Sequence, residues 1–160
     1  MKKNKKKTST PILPKVYEAP VWYVGLFYML LAAWTAVCVI LLGSKTLRFG
    51  WPLGQLLMIA FVLSYTWYFS LGISYKITLD GKGNIGLTSM RRKLSLKPNE
   101  IELVEGPRFS VIPYCFVRFR LKREKAYLFV RITDETFHRI LYSIRRAKPE
   151  MKFKGLNMFH

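Results

Sequence analysis

Five cations close together in the chain are the residues best suited to binding chemistry: Lys76, Lys82, Arg91, Arg92 and Lys93. Each carries a positive charge at neutral pH, and the planar guanidinium fork matches phosphate and carboxylate oxygens. A group of this kind binds anions, whether lipid head groups, nucleic acid or an acidic protein. The plainer alternative is a solvated face that also sets membrane topology. Little else points to chemistry. His138 and His160 are the only histidines, and His138, next to Phe137 in a helical pattern, reads as a rim residue. No Cys or His spacing resembles a zinc site. Neither a G-x-x-x-x-G-K-S/T phosphate loop nor a G-x-S-x-G nucleophile elbow occurs. Gly81-Lys82-Gly83 lacks the following helix that a phosphate site needs. Asp134 and Glu135 read as a helix cap rather than an acid–base pair. These residues imply no enzyme, no catalytic residue, no metal site and no cofactor. Cys38 and Cys115 read as small buried hydrophobes rather than as a disulfide framework.

The elements that must position the five cations begin upstream of them. Residues 21–42 (VWYVGLFYMLLAAWTAVCVILL) hold no charge in 22 positions, and residues 53–73 (LGQLLMIAFVLSYTWYFSLGI) none in 21. At 1.5 Å of rise per residue, about 20 residues cross a hydrocarbon core of roughly 30 Å. A helix of a soluble protein shows charge on one face, and these runs show none on any. Residues 43–52 join them, with Gly, Ser and Pro as breakers and Lys45 and Arg48 resisting burial. The reading is a transmembrane α-hairpin over residues 21–73, with spans 21–42 and 53–73. A secretory signal has a shorter apolar core, of about 7–15 residues, so the first run reads as a retained span.

Charge sets the orientation. The formal net charge is +18 and the isoelectric point about 10.2. Residues 1–20 carry six lysines against Glu18, the turn carries two cations, and residues 74–160 carry nineteen against eight acids. Lys and Arg concentrate on the cytoplasmic side of spans. The chain therefore reads as a multi-pass protein of the plasma (inner) membrane with both termini cytoplasmic. Residues 1–20, broken by Pro11, Pro14 and Pro20, read as a flexible basic arm. Trp22, Tyr23, Trp51, Tyr65, Trp67 and Tyr68 fall where amphipathic rings favour the head-group level.

From Ser74 the pattern alternates, as a half-buried strand does. Ile73, Tyr75, Ile77 and Leu79 share a face, and Asp80-Gly81 signals a hairpin turn. Further strands are expected at residues 85–89, 91–96, around 101–104, within 109–122 and at 126–132. Pro113 should end or bulge one of them. Arg118, Arg120 and Lys122 share a face. The period then becomes helical, with Phe137, Ile140, Leu141 and Ile144 as the apolar stripe and Pro149 as the stop. Residues 74–148 thus form one small domain, and residues 149–160 a loose basic tail.

The order of six or seven short antiparallel strands and a closing C-terminal α-helix, with the stretches YKITLDG (75–81) and RRKLSLKPNEIELV (91–104), resembles the bacterial pleckstrin-homology-like domain family. The resemblance covers residues 73–148, preceded by a two-helix membrane hairpin as often occurs in that family. It implies a mostly-β PH-like domain, a half-open barrel plugged by the helix, and no catalytic residues to carry over. It also implies a non-enzymatic binding or scaffolding module at an anionic membrane surface, an accessory subunit of a membrane complex. The partners would be anionic head groups through Lys76, Lys82, Arg91, Arg92 and Lys93, together with other membrane subunits or a second copy of the chain. Thr35, Gln55, Ser64, Thr66 and Ser70 could bond across helices or, for the hydroxyls, back to their own turn. The rival reading is a membrane-tethered nucleic-acid binder that stacks bases on Tyr114, Phe116 and Phe119. It has no helix-turn-helix or RNA-recognition signature behind it.

Overall fold

The computed structural model of the chain describes residues 14–43, 52–107, 113–122 and 124–156. The lysine cluster at 2–7, the inter-span turn with Lys45, Arg48 and Trp51, and the stretch 108–112 lie outside them. The two uncharged runs form α1 (Val21–Gly43) and α2 (Pro52–Ser70). Their 23 and 19 residues correspond to about 34 and 28 Å of helix. Both are long and apolar enough to cross a bilayer, and only 6% of each span is buried within the chain. They are therefore not core helices of the rest of the chain. Thr35 Oγ1 donates to Leu31 O at 2.8 Å and Thr66 Oγ1 to Val62 O at 2.7 Å. These two threonine hydroxyls are thus satisfied by their own preceding turn, four residues back. Two further bonds hold the helices side by side: Trp67 Nε1 to Thr35 Oγ1 at 3.0 Å and Tyr28 Oη to Ser70 O at 2.8 Å. Because Tyr28 stands level with the end of α2, the first two turns of α1 project beyond α2.

Those two turns meet a mixed, open, eight-stranded sheet. Its strands are β1 (Lys15–Glu18), β2 (Ser74–Leu79), β3 (Ile85–Ser89), β4 (Lys93–Leu96), β5 (Ile101–Glu105), β6 (Tyr114–Leu121), β7 (Lys125–Arg131) and β8 (Lys152–Lys154). The spatial order is β4-β3-β2-β7-β6-β5-β8, with β1 also paired to β2. Pro113 stands just before β6, where a residue without an N–H starts a strand at no cost to the ladder. A third helix, α3 (Glu135–Ala147), follows β7. Its N-cap is Asp134, whose carboxylate accepts from the Thr136 and Phe137 N–H groups at 2.8 and 3.3 Å. Phe137, Ile140, Leu141 and Ile144 are the buried side of α3, the four positions the period picks out. They join Ile77, Leu87, Phe119 and Leu128 in the core.

The sheet departs from the expected six or seven antiparallel strands in three ways. It has eight strands. Two of its pairings are parallel: β2 with β7, where Ser74 faces Leu128, and β5 with β8, where Leu103 faces Lys152. The chain also does not end its structure at α3. The tail read as loose supplies β8, and Met151 and Leu156 on either side of it are buried. The approach there is close. A Cβ on Gly106 would lie 2.7 Å from Leu156 Cδ2, and Gly155 has φ +72°. Two glycines let the β5 and β8 ends pass where side chains would not fit.

The arm read as flexible likewise contributes β1. Tyr17 is 2% exposed, packs on Phe137 with ring centroids 5.5 Å apart, and its hydroxyl accepts from the Arg131 N–H at 2.8 Å. Four residues between prolines carry too short an alternation to read as a strand. They become one because β2 offers an open edge, pairing Lys15 with Leu79 through Glu18 with Lys76.

Candidate functional site

The face of β6 and β7 turned away from α3 is aromatic at one end and basic at the other. Register places Tyr114 opposite Arg131, Phe116 opposite Phe129, Arg118 opposite Tyr127 and Arg120 opposite Lys125. The aromatic half receives the helices. Tyr114 lies 4.9 Å from Trp22 and 5.0 Å from Tyr23, and Phe129 lies 5.5 Å from Tyr23 and 5.2 Å from Phe27. Phe69, at the end of α2, stacks edge-on to Tyr127 at 5.3 Å. Edge-on and tilted pairs align ring edges with ring faces, each worth about 0.5–1.5 kcal/mol beyond area burial. The rings of Trp22 and Tyr23 thus pack against the sheet. Of the three rings that the rival reading offers to bases, Phe119 is fully buried, and Tyr114 and Phe116 each meet a ring of α1.

The basic half continues into the turn after β6, and the second basic turn, between β3 and β4, is joined to it. Arg92 reaches Glu124 at 2.6 Å, and Lys122 and Lys125 flank that glutamate in the chain. By sequence the two turns hold six cations, Arg91 to Lys93 and Lys122, Arg123 and Lys125, against Glu124; Arg123 lies outside the described residues. Among the described residues, Arg91 ties this rim to the end of α2. The Arg91 N–H donates to Leu71 O at 3.1 Å, and its guanidinium lies 3.8 Å from the centre of the Tyr68 ring. A cation over an aromatic face is held by the ring quadrupole.

The five cations picked from sequence are therefore not one group. Arg91, Arg92 and Lys93 are brought together beside α2. Lys76 lies on β2 and pairs with Glu18 at 3.4 Å. Lys82 occupies the far turn of the β2–β3 hairpin, at the opposite end of strands about 20 Å long at 3.3 Å per residue. Lys122 and Lys125 lie outside the five, although Lys122 belongs to a basic alternation visible in the sequence. Their nearness to Arg92 comes from a contact between turns 32 residues apart. On the sheet Arg118 pairs with Glu105, and Arg120 with Glu102 at 3.8 Å. Such exposed pairs contribute about 0–1 kcal/mol each, but they cancel charge. Among the described residues, Arg91, Lys93, Lys122 and Lys125 have no acidic partner within salt-bridge distance.

No group of metal-ligating side chains occurs among the described residues. His138 is half-buried on α3, with its Nε2 at Ile132 O. Burial pushes the Cys115 thiol up to about 11, so at neutral pH it is almost wholly the unreactive thiol. Burial also pushes the Tyr17 hydroxyl up to about 12, against the opposing effect of the Arg131 N–H bond. Both groups are neutral in the fold and raised above their ordinary values. Stability from them is complete below about pH 9 and falls as pH rises through 11 to 12. In a Cys38→Ser background, maleimide should modify Cys115 about 100-fold more slowly than a thiol at the ordinary value of 9.0, and about tenfold faster per pH unit up to 11. Labelling at the ordinary rate at pH 7 in the folded chain would contradict that burial.

No protein-family model matches the chain, and neither a curated protein nor a solved structure matches it.

Proposed function

We propose that the chain is a non-enzymatic membrane protein whose PH-like sheet domain binds anionic lipid head groups beside the two spans. In this reading α1 and α2 cross the plasma membrane with both termini cytoplasmic, as the lysine and arginine distribution favours. The apolar outer surfaces of the spans are left for lipid or for the helices of other subunits, with the chain as an accessory member of an assembly. The observation that carries the reading is the placement of Arg91. It is held between the Tyr68 ring and Leu71 O at the end of α2, where a membrane-spanning helix meets head groups. Lys93, Lys122 and Lys125 extend the same rim, with no acidic partner among the described residues. Each cation near an anionic surface contributes on the order of 1 kcal/mol, and together they orient a domain that the spans already tether.

The test uses the full chain in nanodiscs. A polarity-sensitive dye is attached at Ser95→Cys, exposed on β4 two residues from Lys93, with Cys38 and Cys115 replaced by Ser. Its emission should shift to the blue in phosphatidylglycerol discs relative to phosphatidylcholine discs. The shift should fade by ~0.5 M salt, since the screening length is already about 8 Å at physiological ionic strength. Arg91→Ala with Lys93→Ala should weaken it by roughly 2 kcal/mol at about 1 kcal/mol per cation. Identical emission in the two discs at low salt rules the head-group reading out and leaves the rim to an acidic protein.

A further inference from the structure

On the opposite side of α1 from the aromatic seam, a cleft of about 430 Å³ opens where α1, α2 and β2 converge. That volume falls in the range of roughly 300–1,000 Å³ usual for ligand sites. Its walls include Val24, Gly25, Tyr28, Trp67, Leu71 and Met90. Tyr75 adds a third aromatic ring to Tyr28 and Trp67 in the wall, and those two have already spent their donors inside the chain. The Tyr28 hydroxyl donates to Ser70 O and the Trp67 N–H to Thr35 Oγ1. Glu18, at one edge, is paired with Lys76. What faces the space is mostly carbon. A polar occupant would lose its water contacts without replacement, whereas a hydrocarbon loses nothing.

One end of the cleft is marked by charge. Met90 and Leu71 line it, and Arg91 follows Met90 and donates its N–H to Leu71 O. Its guanidinium is anchored over Tyr68. With Glu18 neutralised by Lys76, the net charge beside the cleft is that of Arg91. A slot of carbon with one fixed cation beside it is complementary to a molecule with an apolar tail and an anionic head. Gly25 supplies a second mark. A Cβ built there meets nothing within 4 Å, so a helical position in the wall carries a residue that costs about 1 kcal/mol relative to Ala and leaves the space open.

We infer that this cleft holds one acyl chain of an anionic phospholipid, with its phosphate against Arg91. The inference rests on the membrane reading above, because α1 and α2 must bring the cleft to lipid. A second copy of the chain or an apolar peptide would also meet the carbon wall, but neither is called for by the lone cation beside it.

Gly25→Leu tests this directly. It fills open space and removes a glycine from a helix, so the variant should fold at least as well as the natural chain. Full-length chain is purified from phosphatidylglycerol–phosphatidylcholine bilayers in mild detergent, and retained lipid is read by native mass spectrometry. The natural chain should carry one phosphatidylglycerol, and Gly25→Leu about tenfold less, equivalent to 1.4 kcal/mol. Arg91→Gln should keep a lipid but lose the preference for phosphatidylglycerol. Equal retention by Gly25→Leu and the natural chain, or no retained lipid on the natural chain, overturns the inference. A second copy in the cleft would appear instead as a dimer lost in Gly25→Leu, and would equally overturn it. The dye experiment keeps the two ideas apart. A dye shift without retained lipid removes the cleft proposal alone, and retained lipid without a dye shift removes the head-group rim alone.

Discussion

Phe129→Ala should destabilise the chain by about 3–5 kcal/mol, the usual cost of truncating a buried phenylalanine. The ring is fully buried although it lies on the face of β7 away from α3. It is buried by α1: Tyr23, Phe27 and Tyr28 surround it at 5.5, 5.2 and 6.5 Å, and Phe116 lies across the strand pair at 4.9 Å. Removing it opens a cavity between the helices and the sheet, which only partial relaxation can refill. Phe129→Leu should restore part of the loss, because a leucine still fills much of the space. The measurement is thermal or denaturant unfolding of the full chain in detergent, followed by near-ultraviolet circular dichroism. A change below about 1 kcal/mol for Phe129→Ala, within the range of surface substitutions, would show that the seam does not hold helices to sheet.

Phe137→Ala should be as severe, again about 3–5 kcal/mol. Phe137 is fully buried on α3 and meets Tyr17 of β1 at 5.5 Å. Its loss removes core contacts of the helix and the ring that meets Tyr17 of the N-terminal strand together. Against the 5–15 kcal/mol of a typical domain, roughly, this approaches unfolding. The contrast lies one helical face away. Tyr142 is 66% exposed, and the Arg139 side chain is tied to Glu135 across one turn at 3.1 Å. Tyr142→Ala and Arg139→Ala should each stay within about 0.5 kcal/mol. Similar losses at Phe137 and Tyr142 would contradict the assignment of faces to α3. Selective release of the N-terminus in Phe137→Ala, seen as faster proteolysis near Lys15, would show that β1 is held by this ring.

The rim and the cleft share Arg91, and their energetics differ. Along the rim, charges act through water and weaken with salt. In the cleft, the tail is held by close packing against the carbon wall, and salt weakens that little. Salt titration of lipid retention in Arg91→Gln and in the natural chain therefore separates the head-group contribution from the tail contribution.

Local pattern was sufficient where a segment's neighbours are its own sequence. Residues 21–42 and 53–73 carry no charge over lengths that a bilayer requires, and α1 and α2 lie on them, with α2 ending at Ser70, three residues short of the end of the uncharged run. Alternation marked β2 and β3, the Asp80-Gly81 turn marked their hairpin, and Asp134 with the 137, 140, 141, 144 stripe marked α3. Each depends on periods of 2 or 3.6 residues and on caps that act within four residues. Tertiary structure alone decided the rest. Strand β1 exists because β2 has an open edge, and β8 because Gly106 and Gly155 let two backbones approach. Neither has enough residues for a period. The parallel pairings depend on where long connections return the chain, which no local period encodes. The split of the five cations has the same origin: sequence nearness cannot show that a strand separates Lys82 from Arg91, or that Glu18 and Glu124 neutralise Lys76 and Arg92. The seam and the cleft arise because α1 outreaches α2 by two turns, so one side of it meets the sheet while the other leaves a gap. That offset follows from the packing of Tyr28 against Ser70 and Trp67 against Thr35, pairs separated by 42 and 32 residues.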